Sequence, residues 1–149
     1  METKGMTKTS QMLERMYKNV KMGASSTIDL MDKVDSEALR GEMTSQIAKL
    51  EDFSKKISDM LHSEGEKPKE ENIVTKLSSK MGIKMNTMID STTSHIAQMM
   101  MEGYTMGITE MTKDIREFEN TNVSEDTLRL ARDIVSYYED CFEKMKSFL

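Results

Sequence analysis

The sequence predicts an all-α fold, an antiparallel four-helix bundle. Three observations carry this. Apolar residues recur in alternating three- and four-residue steps over long stretches, the spacing that lines up one face of a helix. Turn signals are sparse, and the one proline of the 149 residues, Pro68, lies near the middle. The breaks between stretches hold Ser, Thr, Asn and Asp, the residues that cap helix starts.

The first eight or nine residues read as a flexible tail. A first helix follows from about Ser10 to Val34, with a stripe of Leu13, Met16, Val20, Gly23, Thr27, Met31 and Val34. Asp35 and Ser36 break the chain with cap chemistry, and Glu37 follows in the next first turn. The second helix runs from about Glu37 to His62. Its stripe is Leu39, Met43, Ile47 or Gln46, Leu50, Phe53, Ile57 and Met60. So short a connection makes the pair a helical hairpin.

Residues 63–72 form a charged loop, in which Pro68 removes a backbone donor and biases Lys67 away from helix. Residues 73–90 read as a short extra helix in the crossover, carrying Val74, Leu77, Met81, Met85 and Met88, and Asp90–Ser94 interrupts it. A third long helix reaches Phe118 with an inner face of Ile96, Met100, Gly103, Gly107, Met111, Ile115 and Phe118. The last helix is capped by Ser124 and carries Leu128, Ala131, Val135, Tyr138, Phe142, Met145 and Leu149. The whole of residues 1–149 forms one domain, and a bundle with one long crossover has ferritin-like order.

Composition narrows the function classes. Charged residues make up 32% and apolar residues 37%, as suits amphipathic helices with wide solvated faces. The net charge of -5, with both signs interspersed, argues against a nucleic-acid footprint. No apolar run is long enough for a membrane span, and METKGMTKTSQ lacks the apolar core of a signal peptide. The single cysteine makes no internal disulfide, so a cytoplasmic location is expected. Aromatics are only 5%, Trp is absent, and seventeen methionines do much of the packing.

The stretch Glu102-Gly103-Tyr104-Thr105-Met106-Gly107-Ile108, the capped Ser124-Glu125-Asp126-Thr127-Leu128-Arg129-Leu130-Ala131 and the end Glu143-Lys144-Met145-Lys146-Ser147-Phe148-Leu149 resemble small bacterial ferritin-like proteins. Ser94-His95-Ile96-Ala97-Gln98-Met99-Met100 is similar to a Met-rich group among them. The resemblance implies a four-helix fold. Metal-binding members bring a Glu from each of two helices and Glu-x-x-His from each of the other two. Here no Glu-x-x-His occurs; the corresponding registers hold Tyr138-x-x-Cys141, Tyr104 or Thr105, and Gly23 to Thr27.

Candidate sites each have a plainer reading beside them. Asp59-x-x-His62 puts two ligands on one helical face, but a histidine at a helix C-terminus also suits the dipole. His95 is a lone ligand or acid-base group, or more plainly a capping or surface histidine. Cys141 sits beside Glu139, Asp140 and Glu143, which oppose ionisation, so a half-buried structural role is expected. Met99, Met100 and Met101, with Met81, Met85 and Met88, offer soft thioethers for Cu(I), although methionine at helical spacing usually fills core. Gly103-x-x-x-Gly107 allows close helix approach opposite Gly23-Ala24; the alternative is a small-molecule cavity lined by Tyr104, Tyr137 or Tyr138.

The metal candidates are therefore Asp59, His62, His95, Met99, Met100 and Met101, and no cofactor is expected. The expected function is that of a non-catalytic interaction or structural protein, a homodimer through its Met-rich helices, with an unidentified protein partner possible and neither nucleic acid nor membrane bound. The alternatives are a metal- or small-ligand-binding protein, or a divergent di-iron protein using Glu102 and Glu110 near the third helix's inner face.

Overall fold

The computed structural model describes residues 5–68 and 91–149. Among these the chain forms four long helices, α1 (Lys8–Leu30), α2 (Glu37–Ser63), α3 (Thr93–Phe118) and α4 (Glu125–Met145), and no strand. The predicted crossover helix over 73–90 lies outside the described residues, as does the loop beyond Pro68.

Each helix starts where a hydroxyl can cap it. Thr7, Ser36, Thr92 and Ser124 accept from the backbone N–H groups of Ser10, Leu39, His95 and Thr127 at 3.0–3.2 Å. Each such cap contributes about 1 kcal/mol. Thr7 brings the start of α1 to Lys8, ahead of the expected Ser10, so the end of the expected tail is helical. Thr9 and Ser10 are buried, and Thr9 Oγ1 accepts from the Ser124 backbone N–H at 2.9 Å, tying this end to the α3–α4 turn.

α1 also ends earlier than its stripe suggests. A 3-10 turn over Met31–Lys33 tightens the chain, and the Arg40 guanidinium donates to the carbonyls of Met31 (2.8 Å) and Val34 (3.1 Å). The tightening turns Leu30 into the core and leaves Met31 half-buried.

One cluster of buried apolar side chains joins all four helices. Its phase differs in places from the sequence reading. In α2, fully buried Gln46 takes the inner position and Ile47 is half-buried; Leu61, not Met60, closes the row. In α4 the inner residues after Ala131 are Ile134, Tyr138, Cys141 and Met145, while Val135 and Phe142 flank the core and Leu149 is exposed beyond a final 3-10 turn. Ile115 of α3 is likewise only half-buried. Three-residue steps such as Ala131–Ile134 and Tyr138–Cys141 keep the row on the core, where the four-residue steps assumed from sequence drift off it.

Polar contacts fix how the helices meet. Thr7, at the start of α1, donates to Glu64 past the end of α2 at 2.8 Å, and Lys21 meets Glu51 at 3.4 Å midway. Arg15 of α1 bridges Asp114 (3.1 Å) and Glu117 (2.7 Å) near the end of α3 and lies 5.0 Å over the Phe118 ring. Phe53 of α2 meets Tyr137 of α4 edge-on, with ring centroids 5.7 Å apart.

Candidate functional site

Among the described residues, a cavity opens along the α1–α3 seam. α1 presents Asn19, Met22, Gly23, Ser26, Thr27 and Leu30 to it, a row at helical spacing. α3 presents residues from Met99 to Glu110, and Tyr138 of α4 forms part of the floor. Between them lies a cavity of about 400 Å³, within the size range of small-molecule sites.

The two glycines of Gly103-x-x-x-Gly107 play different parts. A methyl group on Gly107 would sit 2.8 Å from the Tyr138 ring, so this position is glycine because the ring packs onto the backbone. A methyl on Gly103 would meet nothing within 4 Å. The expected close approach therefore holds at Gly107, whereas Gly103 is exposed and borders open space at the cavity rim. Gly23 lies between these cases: a methyl there would sit 3.5 Å from the Leu50 side chain and 4.0 Å from the Tyr138 hydroxyl.

The polar groups of the floor are held by the protein itself. Asn19 donates to the Gly107 carbonyl at 3.0 Å and accepts from the Tyr138 hydroxyl at 2.8 Å. Thr27 donates to the Gly23 carbonyl at 2.8 Å and also lies 3.8 Å from the Met100 sulfur. Tyr104 donates to Gln46 at 2.6 Å, and Gln46 in turn donates to Glu42 at 2.8 Å. With these groups committed inward, the walls are mostly carbon and sulfur: four methionines (22, 99, 100 and 106), Leu30 and the glycines. Met22 and Met106 are 37% and 53% exposed, placing them at the mouth. Among the described residues, Glu102 and Glu110 of α3 are the carboxylates of the lining, which includes no Lys, Arg or His.

Behind the cavity, Tyr104 and Tyr138 pack with ring centroids 5.4 Å apart, and the Cys141 thiol is buried beside them. Burial pushes the Cys141 thiol up; hydrogen bonding to the Tyr104 and Tyr137 phenols offsets this only in part. The phenols of Tyr104, Tyr137 and Tyr138 are raised as well, again mainly by burial. The thiol is thus a packed core group rather than a poised nucleophile.

The sequence candidates are scattered. Asp59 and His62 are exposed at the end of α2, with Asp59 3.9 Å from Lys55. His95 lies in the first turn of α3, its backbone N–H capped by Thr92. The methionine trio divides: Met99 and Met100 line the cavity, while Met101 packs against the core elsewhere. Among the described residues, no three His, Cys, Asp or Glu side chains gather as a ligand set. Tyr104 and Tyr138 were expected around any cavity and are there; Tyr137 instead packs on Phe53. Asn19, Met22, Ser26, Leu30 and Met106 also line the cavity and are not among the sequence candidates. Their signal was the small-residue run from Gly23 to Thr27, which leaves room rather than filling it.

No described helix is long and apolar enough to cross a membrane. Comparison of the chain with known protein families, curated proteins and solved structures returned no match.

Proposed function

We propose that this chain is a non-catalytic helical bundle of ferritin-like, antiparallel order that works by binding, with the α1–α3 cavity as its site. The observation that carries the reading is the open space at Gly103 beside a floor whose polar groups are satisfied internally. Buried polar groups that already have partners ask nothing of a ligand, so an apolar body loses little on entry and gains by leaving water. The contacts of Arg15 with Asp114 and of Thr27 with Met100 support the antiparallel pairing of α1 and α3.

Leucine at Gly103 tests the reading, because its side chain enters open space and favours helix over glycine. Titration with an uncharged, environment-sensitive dye should saturate at one site on the wild-type chain. G103L should lose that site while keeping its helicity and thermal midpoint. S26L, plugging the cavity from α1, should do the same. Undiminished binding by both variants would contradict the proposal. Self-association as a homodimer through Met22 and Met106 would compete for the same mouth, so mass in solution should fall on adding ligand if it occurs.

A further inference from the structure

We infer that Met22 and Met106 are peroxide-sensitive modification sites whose conversion to sulfoxides closes the α1–α3 cavity to apolar ligands; this rests on the binding role proposed above. Among the described residues these two are the exposed methionines. They stand one on each helix of the seam, and both line the cavity. By contrast, Met12, Met16, Met43, Met111 and Met145 have no exposed surface. Met100 also lines the cavity, but it is buried and its sulfur lies 3.8 Å from the Thr27 hydroxyl. Oxidation of a side-chain sulfur follows its exposure to the oxidant, so the fold directs a peroxide to the mouth first.

The step needs hydrogen peroxide as oxidant. A sulfur lone pair attacks one peroxide oxygen, and the S–O bond forms as the O–O bond breaks. The proton on the transferred oxygen passes to the departing hydroxide, and water leaves. Sulfur gives up two electrons and the peroxide takes them. The product replaces a flexible apolar side chain with a polar, chiral one. In an empty mouth the new sulfoxide oxygens are hydrated. An apolar ligand entering past them strips that water and offers no donor in return, which weakens binding. The floor does not compensate, because Asn19, Thr27 and Tyr138 are already bonded within the protein. Methionine sulfoxide reductases restore the thioether, so the change is reversible.

The test treats the full chain with graded hydrogen peroxide. Peptide mass spectrometry maps the oxidised methionines, circular dichroism follows helicity, and titration gives the affinity for the uncharged dye. Met22 and Met106 should convert while the five fully buried methionines remain thioethers and helicity is unchanged. Affinity should then fall by about tenfold, as expected for a polar group left poorly satisfied. Treatment with methionine sulfoxide reductases for both sulfoxide epimers should restore it. Dye at saturation should slow the conversion of Met22 and Met106, because it covers them. M22L/M106L is compared only with itself: the same dose of peroxide should leave its affinity where it stood. Loss of binding in this variant too, conversion of the buried five in step with the mouth, or conversion that saturating dye does not slow overturns the inference. So does a loss of affinity that comes only with loss of helicity. An affinity unchanged after both residues are converted overturns it while the cavity stands. Absence of a saturable site on the untreated chain overturns the binding role as well.

Discussion

At one end of the α1–α3 seam, Arg15 grips Asp114 and Glu117, Phe118 lies beneath its guanidinium, and Tyr138 presses onto Gly107 with Asn19 locking both. One turn along α3, the same two helices hold methionines, Gly23 and Gly103 around open space. The contrast lies in what reaches each glycine. An aromatic ring from a third helix fills the space over Gly107, and nothing from α4 or α2 reaches Gly103. A small-x-x-x-small pair thus marks close approach only where a neighbour supplies the side chain that uses it.

Removing the ring should have the largest effect. Tyr138→Ala deletes a buried aromatic that closes one end of the cavity, and should cost about 4 kcal/mol by chemical denaturation. A loss under about 1 kcal/mol would mean the closed end is not what holds the seam.

The glycines come next and should differ in sign. Gly107→Ala forces the Tyr138 ring to move and should destabilise by about 1–2 kcal/mol, the strain outweighing the gain in helix propensity. Gly103→Ala meets open space and should stabilise by up to about 1 kcal/mol. Equal effects at the two positions would erase the distinction between the ends.

A smaller, pH-dependent effect probes the tyrosine side of the same contrast. Burial holds the phenols of Tyr104, Tyr137 and Tyr138 above their ordinary value. The unfolded chain therefore loses these protons first, so above about pH 10 it binds fewer protons than the native chain and stability falls with rising pH. Below that pH the contribution is fully present. Phenolate absorbance should rise together with loss of helicity; gradual ionisation in an intact fold would place these rings in water.

Much of the fold was legible because helical periodicity and caps are local signals. Ser36, Thr92 and Ser124 cap helices within stretches marked as breaks, and α2 was placed to within one residue. Phase was harder. Gln46 occupies the core because Tyr104 hydrogen-bonds to it across the bundle, a contact no local pattern reveals, although the strict alternation Leu39, Met43, Gln46, Leu50 favours it. The cavity was legible only as an alternative, since whether a glycine leaves room depends on what a distant helix brings to it. Of the metal candidates, Asp59 and His62 lie at the far end of α2, away from His95 in the first turn of α3 and from Met99 and Met100, which line the seam together.

The central claim is that the space beside Gly103 is a binding site. Its most direct test is the affinity of wild type and G103L for one apolar ligand, measured side by side with their thermal midpoints. The account predicts a saturable single site on the wild type, lost in a G103L variant at least as stable. An equal affinity in both, with folding intact, would contradict it.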